Sequence, residues 1–192
     1  MRKTIEYVLT GIIAYLISHY FVRHIVLPTL YNYPRLTRVM ARFPATTVFL
    51  ILFLTLTFWL GWVQWNRRQI SPIYGYLVYS VYLLLLFIVL FTKADVYHAI
   101  SLNPFDFIQP DRKILLEALL NVLYFIPLGG LYHLRASFLE TNIIAFLTIL
   151  GIETLQFAFY LGTFAISDLL LNWLGCLVGF GLWSLAQHHF NR

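Results

Sequence analysis

The residues best suited to chemistry are polar side chains inside apolar segments of the second half of the chain. Glu153 and Gln156 are three residues apart, Asp168 and Asn172 are four apart, and Asn121 precedes them. Helical spacing puts the members of each pair on one face of a helix. Polar groups within a bilayer are costly, so each is a functional candidate by default. We predict that these five residues form a ligand-binding pocket.

Two of these residues are carboxylates and could do acid–base chemistry. Glu153 and Asp168 are the candidate catalytic residues if they approach each other across a helix interface and act on a lipid-linked substrate. The competing interpretations are structural. Glu153 can tie helices together, and Asp168 with Ser167 can cap the start of a helix. The sequence leaves open whether the protein is an enzyme.

Other chemistries lack the residues that they require. The only cysteine, Cys176, lies in an apolar run, so no disulfide within the chain can form. Asp95-x-x-His98 supplies two metal ligands, which are too few for a site. We find neither a Ser/His/Asp arrangement nor a glycine-rich phosphate loop. We therefore expect no metal and no cofactor. The cations lie in short gaps between apolar runs, so we also expect no nucleic-acid partner.

The composition identifies the elements that must position these residues. Of the 192 residues, 60% are hydrophobic and 11% are charged, whereas a soluble domain is about 45–50% apolar and about 25% charged. That balance excludes a soluble globule and a disordered chain. The apolar runs are long and unbroken, which excludes the alternating pattern of a membrane β-barrel. The sequence therefore predicts an all-α integral membrane protein.

The apolar runs predict a single membrane domain, residues 1–192, with a bundle of about six transmembrane helices, since each run has the roughly 20 residues that cross a bilayer. Three spans lie in residues 1–92 and three form a core in residues 100–182. The runs cover about residues 5–27, 45–65, 72–92, 114–134, 141–162 and 167–188. Between helices three and four, a segment too short to cross predicts an interfacial or re-entrant piece.

The spacing also predicts how the core is built. Gly175-x-x-x-Gly179 should let another helix approach closely, and Pro127 should kink or break the fourth span because it removes a backbone donor. By these boundaries Glu153 lies two to three turns deep. The pocket would open to the leaflet beside loops 93–113 and 162–167, under a roof made by Asn103-Pro104-Phe105.

The motifs of residues 100–182 together resemble the VanZ-like family. They are Asn103-Pro104-Phe105, then Asn121-x-x-x-Phe125-x-Pro127-x-Gly129, then Glu153-x-x-Gln156, and finally Asp168-x-x-x-Asn172-x-x-Gly175-x-x-x-Gly179. The family often has an Arg and an Asp before the last of these motifs, where this chain has Thr163 and Ala165. A role that needs that charge pair is therefore not implied here.

The resemblance implies a multi-span protein whose family's founding member gives low-level resistance to teicoplanin, a lipid-tailed glycopeptide. We expect a bacterial cytoplasmic membrane protein that binds an amphiphilic envelope lipid or lipoglycopeptide and contributes to antibiotic resistance or envelope homeostasis. Its expected partners are membrane lipids, a lipid-linked envelope precursor or a lipoglycopeptide. The alternatives are a membrane-embedded enzyme, with Glu153 and Asp168 as acid and base, and a transporter or structural subunit. The cations are nearly equally divided between the two sides, so orientation stays open, as does the oligomeric state.

Overall fold

The computed structural model describes residues 2–31, 34–92 and 97–190 of the chain. Six helices are long and apolar enough to cross a membrane, as the hydropathy pattern predicts. They are Thr4–Val26, Thr46–Arg67, Pro72–Phe91, Arg112–His133, Phe138–Ala158 and Ile166–Gln187. The predicted helical membrane fold with six spans is therefore confirmed.

The chain divides into two compact units, residues 1–81 and residues 82–192. In the first unit, α1 continues through a π-helical turn into α2, and α3 and α4 follow. Their bounds are Arg2–Phe21 for α1, Val22–Val26 for the π turn, Leu27–Tyr31 for α2, Pro34–Arg42 for α3 and Thr46–Arg67 for α4. The next helix, α5, covers Pro72–Thr92 and contains the boundary between the units.

Helices α1 and α4 pack together in the first unit through an indole and a glycine. Trp59 Nε1 donates a hydrogen bond to the carbonyl oxygen of Tyr7 at 3.0 Å. A Cβ on Gly11 would lie only 3.4 Å from the same indole nitrogen, so the missing side chain makes room for the ring. Tyr74 of α5 also donates to the carbonyl oxygen of Thr57 at 2.7 Å. These hydrogen bonds give the indole N–H of Trp59 and the hydroxyl of Tyr74 a partner within apolar surroundings.

The second unit holds two short strands and three further helices. In chain order they are β1 (Tyr97–Ser101), α6 (Arg112–His133), α7 (Phe138–Ala158), β2 (Leu161–Ala165) and α8 (Ile166–Phe190). Asp111 caps α6 by accepting from the Lys113 amide at 2.8 Å. Ser137 and Glu140 form a capping box that starts α7. Both caps satisfy amide groups that the first helical turn leaves without partners.

Helices α6 and α8 are in close contact along a line of glycines. A Cβ on Gly129 would lie 2.8 Å from Cys176 Cα, and one on Gly179 would lie 2.8 Å from the carbonyl carbon of Ile126. Real Cβ atoms essentially never come within 3.0 Å of another heavy atom. Gly175 likewise faces the backbone of α6. The predicted close approach at Gly175-x-x-x-Gly179 is therefore present, and α6 is its partner helix.

Helix α6 is continuous through Pro127, so the proline does not break it. Phe125, two residues earlier, is completely buried. The surrounding core is formed by apolar side chains of α5, α6, α7 and α8 within the second unit, including Leu86, Leu90, Leu128, Ala145, Ile149, Leu169 and Cys176.

The two strands correct the predicted end of the fifth span. Helix α7 ends at Ala158, and Leu161–Ala165 forms β2, which pairs in parallel with β1 from Tyr97↔Leu161 to Ser101↔Ala165. Tyr160 has a φ of 58°, a left-handed conformation that turns the chain out of the helix. Glu153 therefore lies about 7.5 Å along the axis from the end of α7, and not two to three turns from it. The segment predicted as interfacial or re-entrant, residues 101–108, begins at the last residue of β1 and otherwise forms the loop and turn that follow it.

Candidate functional site

Four of the five predicted pocket residues form two hydrogen-bonded pairs. Asn121 Nδ2 on α6 donates to Asp168 Oδ1 on α8 at 2.7 Å. Asn172 Nδ2 on α8 donates to Glu153 Oε1 on α7 at a longer 3.5 Å. Glu153 and Asn172 are each only 2% exposed. The pairs therefore link α8 to α6 at one level and to α7 at another.

Gln156, the fifth predicted residue, contacts a different element. Its Nε2 donates to the carbonyl oxygen of Leu90 on α5 at 2.6 Å. This bond ties α7 to the end of α5 and satisfies an amide within the apolar layer. Among the described residues, this hydrogen bond of Gln156 therefore goes to α5 and not to either of the two pairs.

A cavity of about 280 Å³ lies beside the first turns of α6 and α8 and the end of β2. Asp168 lies in its wall, whereas Asn121, Glu153, Gln156 and Asn172 do not. Helix α6 contributes Ile114, Glu117 and Ala118 to the wall, and α8 contributes Ser167, Asp168 and Leu171. The cavity therefore opens near the amino-terminal ends of two helices, and only one predicted pocket residue reaches it.

The roof of the cavity comes from the residues that directly follow the predicted roof, Asn103-Pro104-Phe105. Asp106, Phe107 and Gln109 line the cavity, whereas Pro104 and Phe105 do not. Phe105 is 62% exposed, and its amide donates to Asn103 Oδ1 at 3.0 Å, which holds a tight turn.

Three carboxylates dominate the polar part of the cavity wall. They belong to Asp106, Glu117 and Asp168, and none of the described residues in the wall is Lys, Arg or His. Asp106 Oδ2 accepts a hydrogen bond from Ser101 Oγ at 2.7 Å, which fixes the carboxylate beside the end of β1. Since the wall also holds Thr163 and Ser167, the site offers several hydrogen-bond acceptors to a bound molecule.

Residues four apart on α6 connect this cavity to the core. Glu117 is exposed and lines the cavity, Asn121 bonds to Asp168, and Phe125 is completely buried. Sequence spacing predicts this shared face. It could not place Asp106 in the site, because Asp106 reaches the cavity only through the fold of the loop before α6. Thr163 and Ser167 both come shortly before Asp168 in the sequence, and this proximity is the signal that could have placed them in the site.

The part of the chain that the structure describes contains no group of three or more His, Cys, Asp or Glu side chains arranged to hold a metal ion. Asp95 lies outside the described residues, so the pair Asp95-x-x-His98 is not tested. His98 instead makes stacked contacts with two aromatic rings, its centroid lying 3.9 Å from that of Phe157 and 4.5 Å from that of Tyr160. This stack fastens β1 to the end of α7.

Comparisons with known proteins agree with the resemblance seen in the sequence. The VanZ/LLP1 family model matches residues 43–187, a longer stretch than the motifs of residues 100–182 cover. The chain is similar to Protein VanZ of Enterococcus faecium, with 35% identity over 103 residues. That match spans 50% of this chain and 60% of the relative, which is less than two thirds of the relative's length. No solved structure matches the chain. Because the family match extends over well more than half of its residues, this multi-pass membrane protein belongs to the VanZ/LLP1 family.

Proposed function

We propose that this protein binds an amphiphilic lipid or lipoglycopeptide of the bacterial envelope, with part of the ligand held in the cavity beside Asp168. The observation that carries the proposal is the cavity itself, which combines carboxylates with apolar wall residues such as Ile114 and Leu171. A polar site bordered by membrane-spanning helices suits a molecule that has a polar head and an apolar tail. Its place would be the bacterial cytoplasmic membrane.

The size of the cavity limits which part of the ligand enters. About 280 Å³ lies just below the usual range of small-molecule pockets, about 300–1,000 Å³. It equals the liquid volume of about nine water molecules, at about 30 Å³ each. A head group or a single substituent fits, whereas a whole glycopeptide does not. The tail would then lie in the bilayer along the exposed apolar faces of the helices.

Teicoplanin is one ligand that this proposal accommodates. The family resemblance points to teicoplanin resistance, and teicoplanin carries a lipid tail. Holding the tail and one polar substituent at the membrane would reduce the amount of drug that is free to act. Envelope lipids of the same amphiphilic type would serve a role in envelope homeostasis.

Binding is favoured over the enzymatic alternative by the positions of the two carboxylates. Asp168 lines the cavity, but Glu153 does not and is 2% exposed with an amide partner on α8. An acid and a base that share a substrate must both reach it. The arrangement therefore supports a binding site with Asp168 and leaves Glu153 a role between helices.

The proposal is tested with the full chain in phospholipid nanodiscs and a fluorescent teicoplanin derivative, by microscale thermophoresis. Asp168→Asn should weaken binding about tenfold or more, since a charged acceptor is lost from a partly buried site. The control Glu6→Gln removes one exposed carboxylate on α1, outside the cavity wall, and should leave the affinity unchanged.

A second variant separates loss of ligand from loss of fold. Thr163→Phe places a larger side chain at the cavity wall without removing a charge, and should also weaken binding. Size-exclusion profiles identify the variants that remain folded. If folded Asp168→Asn and Thr163→Phe both bind as the parent protein does, the cavity is not the binding site. An envelope-lipid extract used as competitor shows whether natural lipids share the site.

A further inference from the structure

We infer that the first unit, residues 1–81, binds an anionic phospholipid at the end of α4, with one acyl chain in a groove between α1 and α4. Arg67 is the last residue of α4, Arg68 follows it, and both side chains are exposed. The sequence has no Asp or Glu between Glu6 and Asp95, so α4 and its flanking turns bring no carboxylate of their own. A lipid with net negative charge supplies the matching charge.

The start of α1 lies beside the end of α4 and adds to this positive charge. The two helices are consecutive spans and run antiparallel, and the rings of Tyr7 and Trp62 are in edge contact with centroids 6.2 Å apart. Arg67 follows Trp62 by five residues, or about 7.5 Å along the axis. Arg2 and Lys3 precede Tyr7 by similar distances toward the same membrane face. Basic residues of both helices therefore meet at one interface.

The backbone conformation of Arg68 is the second observation. Its φ is 53°, in the left-handed region, where a helix usually ends with glycine because a Cβ is unfavourable there. The amides of Arg68 and Gln69 close the helix by donating to the carbonyl oxygens of Trp65, at 3.1 Å, and Gln64, at 3.2 Å. Those bonds need no side chain at position 68. Arginine at a position that suits glycine therefore indicates a role for the guanidinium beyond the helix end.

Two adjacent arginines at the membrane interface match the phosphate of a lipid head group. A guanidinium can donate two parallel hydrogen bonds to phosphate oxygens. Trp62 and Trp65 precede the arginines, and tryptophan favours the interface layer in which such phosphates lie. Phosphatidylcholine has the same phosphate but also an ammonium group, which neighbouring cations repel. The cations therefore favour a lipid with net negative charge, such as phosphatidylglycerol.

An apolar groove next to this interface fits an acyl chain. Its volume is about 320 Å³, and the residues that line it include Tyr7 and Tyr15 of α1 and Thr55 and Trp59 of α4. Tyr7 and Tyr15 are eight residues apart, so the groove runs about 12 Å along the helix, against about 15 Å for the apolar half of a bilayer. Trp59 lies about 12 Å along α4 from Arg67. Since the head-group layer is about 5–8 Å thick, a phosphate at Arg67 puts the acyl chain at the depth of the groove.

The experiment mixes the full chain in detergent micelles with equal amounts of phosphatidylglycerol and phosphatidylcholine that have the same acyl chains. Native mass spectrometry identifies the lipids that stay bound. The first bound lipid should be phosphatidylglycerol about ten times as often as phosphatidylcholine. An excess of phosphatidylglycerol should also raise the melting temperature by about 5 °C or more, and phosphatidylcholine should raise it less.

Arg68→Gly separates lipid binding from folding. Without lipid this variant should unfold at the same temperature or up to about 4 °C higher, because glycine suits the left-handed conformation. Its preference for phosphatidylglycerol should nevertheless fall about twofold to fivefold, and addition of Arg67→Gln should bring it close to one. The control Arg42→Gln removes an exposed arginine of α3, in the connection between the opposite ends of α1 and α4, and should keep the tenfold preference.

Val8→Trp tests the groove. Val8 lines the groove and is 57% exposed, so the larger side chain narrows the groove without entering the core. Binding of phosphatidylglycerol should fall about threefold or more, because less apolar surface of the acyl chain is covered. The matched control is Leu9→Trp, at a neighbouring position that is 54% exposed and does not line the groove, and it should bind as the parent protein does.

Three results would overturn the inference. One is equal binding of the two lipids to the parent protein, and another is a preference that survives in the double variant. The third is an equal loss of preference in Arg42→Gln, which would show a response to net charge and not to the end of α4. If Val8→Trp and Leu9→Trp bind phosphatidylglycerol equally well, the acyl chain does not occupy the groove.

Discussion

Replacing Gly179 by alanine should force apart the two most closely packed helices of the second unit. The new Cβ would lie 2.8 Å from the carbonyl carbon of Ile126 and 3.1 Å from the amide nitrogen of Gly130, where ordinary contacts begin at 3.4 Å. Backbone cannot rotate away as a side chain does, and the carbonyl oxygen of Ile126 would lie closer still, so α6 and α8 must separate by more than the 0.6 Å between 2.8 Å and 3.4 Å. A gap of about 0.5–1 Å removes a quarter to a half of the dispersion energy of each contact along the interface.

The expected cost is about 2–3 kcal/mol, in the usual range for overpacking. At about 2–4 °C per kcal/mol for a chain of this size, thermal unfolding in detergent should occur about 5–10 °C lower. The matched control is Gly181→Ala, two residues further on α8, where an added Cβ meets nothing within 4 Å. That variant should be neutral or slightly stabilising, because alanine has the higher helix propensity. If Gly179→Ala and Gly181→Ala unfold at the same temperature, the packing argument is wrong.

Three further predictions concern contacts outside the cavity. Gln156→Leu removes the bond to the Leu90 carbonyl and should lower the melting temperature by about 2–5 °C; ligand affinity should stay within about twofold, and a larger loss would return Gln156 to the binding site. His98→Ala removes two ring contacts, each worth about 0.5–1.5 kcal/mol. The amides of β1 should then exchange hydrogen faster, whereas those of α4 should not. Unchanged exchange in β1 would show that the ring contacts do not hold the strand in place. Ser137→Ala abolishes the capping box of α7 and should cost about 1 kcal/mol; the exposed control Ser80→Ala should cost nothing, and equal melting temperatures would contradict the cap.

The six spans could be predicted from the sequence because hydropathy is a local property. The two strands could not. Leu161-Gly-Thr-Phe-Ala is as apolar as the end of a membrane helix, and its pairing with Tyr97–Ser101 joins segments more than 60 positions apart. Parallel pairing over such a separation leaves no periodic signal in either strand. The π-helical turn at Val22–Val26 likewise has no marker residue.

The face that carries Glu117, Asn121 and Phe125 could be predicted from helical spacing alone. The partner of each polar group could not, because it depends on which helices are neighbours. Asn121 bonds to Asp168, whereas Gln156 bonds to a backbone carbonyl of α5 that any residue type would present. The side-chain types therefore predict which positions of the spans are hydrophilic. Only the packing of α6, α7 and α8 shows which of these side chains line the cavity and which lie between helices.

Photoaffinity labelling from the head-group end of a bound amphiphile tests the cavity most directly. The probe carries a diazirine beside its polar head group, and adducts on the full chain in nanodiscs are mapped by mass spectrometry. Labelling that excess unlabelled amphiphile suppresses should fall within residues 106–118 and 163–171, the two stretches that contain the residues lining the cavity. Suppressible labelling confined to residues 46–91, with none at the cavity wall, would contradict the proposed site.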